Sequence, residues 1–394
     1  MKTNIYLDHA ASTRLQPAAL QAMLPFLEGH FGNPSGTYAL GRQAARAIDT
    51  ARSTVASLLG ARPREILFTG PGTESINAAI KGAASAQKQA GLGDHIVTTT
   101  IEHHAVLHSC EYLEKFGFSV TQAPVDRYGI VSPDAIAEAM NERTVLVSVM
   151  LANNEIGTIE PLPEISQAVR ARAKSLGRSV VLHTDAVQGA NALDLDVDRL
   201  GVDLLSLSAH KFGGPKGSGV LYMRRGTPFL AQMSGGGQER QRRAGTENVA
   251  SIVGLATALA EVQAQRDDYT SASRGLTTQL VEGILRTIDG SELTGHPEMR
   301  LPNNTHFSFE GARSDTMLDA LDKQGIAASA GSACNSATWE PSHVLAATGM
   351  PLRRAVGALR LTVGPENTPQ EMERVLAVLP EVVAASRAAT AREE

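Results

Sequence analysis

Between residues 65 and 224 short apolar runs alternate with stretches of helical period. Residues 65–69, 95–100, 144–150, 180–184, 203–207 and 219–223 read as strands. Helices are expected over 73–86, through 112–113 and over 164–174. Strands alternating with helices predict an α/β fold whose mostly parallel central sheet is sandwiched by helices. After about residue 250 the texture changes. A long helix is expected from 250 to about 272, strands at 305–309 and 359–363, and a helix over 316–324. This part reads as a smaller α+β domain. The expected division is an amino-terminal segment, 1–14, that joins the small domain, a large domain over 15–255, and a small domain over 256–394.

Composition changes the picture little. Of 394 residues, 42% are hydrophobic and only 4% aromatic, enough for a sizeable core. The 36 basic and 41 acidic residues leave a net charge of −5, which predicts neither a nucleic-acid nor an anionic-membrane partner. No apolar run reaches the roughly 18 residues of a membrane span. The chain start reads as lacking a leader, and two cysteines do not make a disulfide scaffold, so a cytoplasmic location is expected.

Charge placement is more informative. Lys211 directly follows the apolar run 202–207, and Asp185 ends the run 180–184. An amine and an acid thus stand at the carboxyl ends of two successive strands, where open α/β sheets bind ligands. Pyridoxal phosphate requires such a pair, a lysine for its aldehyde and an acid for its ring nitrogen. Taken alone, Asp185 reads equally as a helix N-cap. The Gly-rich turn at 70–73 joins a strand to a helix, and Gly72 and Thr73 there suit an anion at a helix N-terminus. Ser208 and His210 add donors near Lys211. Gln188 and Asn154 are candidate donors to a phenolic oxygen, although a turn of amides and glycine needs no function. In the run Glu102-His103-His104, a histidine after a strand can stack on a ring and move protons. His104 and His108 lie one turn apart, but no zinc-type spacing is present and no metal is expected.

Cys110 falls among apolar helical positions and reads as structural. Cys334 lies in a small, polar stretch that has little to bury, where a thiol is either incidental or a nucleophile delivered by loop motion. Arg360 sits inside an apolar strand. Its fork matches either a substrate carboxylate or a structural acid.

Nine segments in order resemble the cysteine desulfurases, pyridoxal phosphate enzymes of fold type I in aminotransferase class V. They are YLDHAAST at 6–13, FGNPSGTYALG at 31–41, ILFTGPGTESINAAIKG at 66–82, IEHHAVL at 101–107 and LANNEIGTIEP at 151–161. LHTDAVQ at 182–188, SLSAHKFGGPKGSGVL at 206–221, RRAGTENV at 242–249 and SAGSACNSATWEPSHVL at 329–345 complete the set. The resemblance implies conversion of L-cysteine to L-alanine, with the sulfur held as an enzyme persulfide and passed to an acceptor such as an iron–sulfur scaffold protein. It implies that Lys211 carries the cofactor, Asp185 pairs the ring nitrogen and His103 stacks on the ring. Gln188 and Asn154 then lie near the phenolic oxygen, and Gly72, Thr73, Ser208 and His210 near the phosphate. It further implies a homodimer in which Thr246 reaches the partner's phosphate. Cys334 becomes the persulfide-bearing nucleophile on a long mobile loop, and Arg360 and Asn33 hold the substrate carboxylate. A selenocysteine lyase, or another class V lyase or transaminase, is the alternative. Pro71 departs from the usual glycine and removes a backbone donor beside the phosphate. His9 stands where asparagine is common.

Overall fold

A computed structural model describes residues 5–331 and 342–393. Its strands are β1 (Ile5–Tyr6), β2 (Ile66–Thr69), β3 (His95–Thr99), β4 (Ser119–Ala123), β5 (Thr144–Ser148) and β6 (Val181–Asp185). β7 (Leu204–Ser208), β8 (Gly219–Met223), β9 (Ser291–Leu293), β10 (Asn304–Phe309), β11 (Ile326–Ala327) and β12 (Ala358–Thr362) follow.

Seven of them form the large sheet in the order β2-β8-β7-β6-β5-β3-β4. β8 runs antiparallel to both neighbours, and all other pairings are parallel. Alternation along each strand divides its side chains between two cores. Val97, Val147, Leu182 and Leu205 face one layer of helices. Ile96, Leu146, Val181 and Leu204 face the other. Both faces are covered, so these strands are apolar throughout and read as runs rather than as alternation. The carboxyl ends of β2, β3, β5, β6 and β7 share one edge of the sheet.

The smaller unit is a three-stranded antiparallel sheet, β12-β10-β9. Helices Arg266–Thr287, Ser314–Lys323 and Pro369–Glu393 cover it. Its core takes Ile5 and Leu7 from the amino terminus, and β1 pairs in parallel with β11. In β12, Leu359 and Leu361 point into this core, so the strand period sends Arg360 to the opposite face.

Two expectations shift. The long helix predicted over 250–272 breaks at Gln265 into Val249–Ala264 and Arg266–Thr287. The first piece sends Leu255 and Leu259 into the core of the large sheet. The change of core therefore follows this helix rather than residue 255, because packing, not local sequence, assigns a helix to a domain.

Candidate functional site

A cavity of about 230 Å³ opens at the carboxyl edge of the large sheet, and Arg360 reaches it from β12. Lys211 and Asp185 both line it. Their strands are neighbours, with Asp185 in register with Ser206. Lys211 Nζ donates to the carbonyls of Ala10 and Ala11, at 2.5 and 2.8 Å. The amino-terminal segment thus closes the cavity over the lysine.

Asp185 is 5% exposed. Its Oδ1 accepts the Val187 N–H at 3.0 Å, and among the described residues it forms no ion pair. Burial pushes its pKa up to about 6, opposed by the Val187 hydrogen bond and by the charge of Lys211. His103 stands at the same cavity. Burial, and then the charge of Lys211, lower its pKa to about 4. Its Nδ1 accepts the Ala105 N–H at 3.0 Å. At neutral pH the ring is therefore uncharged, with its proton on Nε2.

The N-terminus of helix Gly72–Gln89 also borders the cavity. Pro71 is its N-cap, so the donor that proline removes lies just outside the helix. Gly72 N–H donates to Ser208 Oγ at 3.2 Å. A Cβ on Gly72 would stand 2.9 Å from Ser208 Cβ, so only glycine fits here. Thr73 and His210 line the same end. His210 is lowered to about 4 by burial and by Lys211 and Lys216, so its ring is neutral.

Arg360 is 2% exposed. Its Nη2 donates to Asp8 Oδ1 at 2.6 Å. Nη1 donates to the carbonyls of Asn154 at 2.7 Å and Gly331 at 3.2 Å. Nε is buried without a partner among the described residues. The arginine therefore has a structural acid, Asp8, and a donor without a partner among the described residues. Gln188 lines the cavity and donates to the Ala10 carbonyl at 3.0 Å.

Two of the predicted residues do not line this cavity. Asn33 is exposed, and its Oδ1 accepts the Ser35 N–H at 2.9 Å. Thr246 is also exposed. Neither lines the cavity of its own chain. Cys334 lies outside the described residues. Cys110 is 1% exposed, and burial pushes its thiol up to about 12, which suits a structural role.

The sequence reading missed several groups. The Ala10 and Ala11 carbonyls carry no side-chain signal. Glu155 and His343 line the cavity and sit in quoted motifs, but nothing local marks them. His104 stacks on His108, with ring centroids 5.0 Å apart, and meets His343 at a tilt, 4.6 Å away.

The donor set fits pyridoxal phosphate. A buried carboxylate with no ion pair among the described residues suits a protonated ring nitrogen. Helix N–H groups, Ser208 and His210 suit a dianion. The amine of Lys211 lines the same cavity.

Comparison with known proteins agrees. The aminotransferase class-V family model matches residues 5–375. Cysteine desulfurase IscS of Methanosarcina thermophila is 47% identical over 379 residues, 96% of this chain and 92% of that protein. The Clostridium botulinum (strain Hall) IscS is 46% identical, covering 97% and 95%. Among solved structures, a NifS-like protein superposes with a TM-score of 0.90 at 36% identity, over 97% of this chain and all of that one. SspA in complex with cysteine superposes at 0.80 with 34% identity, over 92% of this chain and 100% of that one.

Proposed function

This chain belongs to the aminotransferase class-V family, and we propose that within it the protein is a pyridoxal phosphate-dependent cysteine desulfurase. The observation that carries the reading is the meeting of Lys211, Asp185, His103 and Arg360 at one cavity. The likeness to cysteine desulfurases over nearly the whole chain supports it.

When bound, pyridoxal phosphate supplies an aldehyde for the substrate amine and a ring that accepts the electron pair left by the departing α-proton. Lys211 Nζ is the amine that would hold the cofactor aldehyde and serve as the base for the substrate α-proton. Asp185, ionised, would pair with the ring nitrogen. Gly72, Thr73, Ser208 and His210 would hold the phosphate, and Gln188 and Asn154 the phenolic oxygen. His103, neutral with its proton on Nε2, would face the ring as a proton carrier. Arg360 Nε and its fork take the substrate carboxylate.

Cys334 attacks the sulfur of L-cysteine. The carbon–sulfur bond breaks, a sulfur–sulfur bond forms on Cys334, and the carbon takes a proton. Alanine leaves, and the persulfide passes to an acceptor protein of iron–sulfur assembly. The protein works as a homodimer. Thr246, exposed on its own chain, reaches the phosphate of the partner. No helix among the described residues is long and apolar enough to cross a membrane.

The test is mass spectrometry of the peptide holding Cys334 after exposure of the cofactor-loaded protein to L-cysteine, with alanine measured in parallel. One added sulfur atom per site and stoichiometric alanine are expected. Alanine formation with no sulfur on Cys334, and undiminished sulfide release by Cys334→Ala, overturn the assigned nucleophile.

A further inference from the structure

We propose that Thr13 is a positioning residue for Lys211, because its hydroxyl closes the turn from which the lysine extends. The inference rests on the reading of Lys211 as the amine that takes the cofactor. Lys211 ends one turn of 3-10 helix, Ala209–Lys211, directly after β7. The N–H groups of Phe212 and Gly214 fold back onto the Ala209 carbonyl, at 3.0 and 2.9 Å. Gly213 between them has φ +79, which glycine adopts at little cost. Its N–H donates instead to Thr13 Oγ1 at 2.8 Å. The same hydroxyl donates to the His210 carbonyl at 2.9 Å. One side chain therefore bridges the residue before Lys211 to the residue two places after it.

The neighbouring carbonyls are also filled from outside the turn. The Lys211 carbonyl accepts from Asn191 Nδ2 at 2.8 Å. That of Phe212 accepts from Gln16 Nε2 at 3.1 Å, and that of Gly213 from the Gln16 N–H at 2.8 Å. The Thr13 N–H joins its hydroxyl on the His210 carbonyl, at 2.9 Å. A single short turn holds itself with few bonds of its own, so these outside partners impose its shape.

One stretch of chain reaches both ends of the lysine. The carbonyls of Ala10 and Ala11 accept Nζ, and Thr13, two residues on, fixes the backbone behind it. A lysine is a point charge on a flexible four-carbon stem, so its amine is placed only when root and tip are both held. Thr13 does not line the cavity that Lys211 lines. Its effect on the chemistry therefore passes through the turn, and a small shift of the turn is enough to slow bond formation at Nζ.

The experiment uses Thr13→Val, which removes the hydroxyl and keeps the branched shape, and Thr13→Ser, which restores the hydroxyl. In cofactor-stripped protein, hydrogen exchange at the Gly213 amide should speed up by about tenfold or more in Thr13→Val. On rapid mixing with pyridoxal phosphate, the covalent step, read from cofactor absorbance, should slow by about tenfold, with the initial affinity within about twofold. Thr13→Ser should recover both. In a Lys211→Ala background, Thr13→Val should leave cofactor affinity unchanged, since the pair acts as one unit. Asn191→Leu, which removes the donor to the Lys211 carbonyl, carries the test with the same expectations if Thr13→Val does not fold.

Unchanged exchange at Gly213, or an unchanged covalent step, overturns the proposal. So does a loss of cofactor affinity that is equally large in the Lys211→Ala background, which would make the hydroxyl a support of the fold alone. Lys211→Ala separates the two readings. Covalent capture that survives in that variant shows that another amine takes the cofactor and overturns both. Capture that depends on Lys211 and ignores Thr13 overturns the positioning role alone.

Discussion

Arg360 Nη2 lies 2.6 Å from Asp8 Oδ1, although 352 positions separate the two residues. The amino-terminal segment therefore supplies the counter-charge for a guanidinium that the last strand delivers to the cavity. The same segment supplies the Ala10 and Ala11 carbonyls that hold Lys211. Lys211 and Arg360 are thus both held by one stretch of chain.

Arg360→Lys should raise KM for L-cysteine far more than it lowers kcat. An ammonium cannot serve Asp8, the Asn154 and Gly331 carbonyls and a substrate carboxylate together. Loss of one charge-assisted pair of about 2–3 kcal/mol corresponds to roughly 30- to 150-fold in KM. Steady-state kinetics with L-cysteine, compared with cysteamine, which lacks the carboxylate, check this. Cysteamine kinetics should change little.

Glu102 makes stability depend on pH. Burial raises its pKa from 4.5 to about 8. Between those values the folded chain keeps a proton that the unfolded chain has released, so stability from this group falls as pH rises. Glu102→Gln removes that dependence. Its side-chain oxygen can still accept from Thr99 Oγ1 and Met150 N–H, both now on Oε1. The variant should match the parent near pH 5 and exceed it by about 2–4 kcal/mol near pH 8. Thermal melts of both proteins across that range measure it.

His103→Gln should lower kcat by about a hundredfold or more while the protein still takes up cofactor. With its pKa near 4, the parent imidazole is neutral throughout the working range. The pH profile of kcat should therefore show no inflection from this residue above about pH 5. A profile recorded from pH 5 to 9 for both proteins decides the matter.

Gly72→Ala should weaken cofactor retention. The new Cβ would meet Ser208 Cβ at 2.9 Å and Val187 Cγ2 at 3.1 Å, pushing the helix N-terminus away from the phosphate end. An increase of about tenfold in the dissociation constant for pyridoxal phosphate is expected, equivalent to about 1.4 kcal/mol. Absorbance titration of cofactor-stripped protein measures it.

The sequence alone determined the layered α/β plan and the positions of Lys211, Asp185, His103 and Gly72. Buried parallel strands leave continuous apolar runs, and chemistry-bearing residues follow directly at their carboxyl ends. Both signals are local, so they survive in one dimension. The tertiary structure decided what those residues meet. Packing of β1 and its following segment against β11 and β12 brings Asp8 to Arg360 and the Ala10 carbonyl to Lys211. Burial of the Asn153–Gly157 turn against helix His343–Ala347 brings Glu155 to Ser342. No periodicity encodes such meetings between distant segments, because they arise only when two separate cores close on each other. For the same reason Asn33 and Thr246, prominent in their motifs, stand away from the cavity of their own chain.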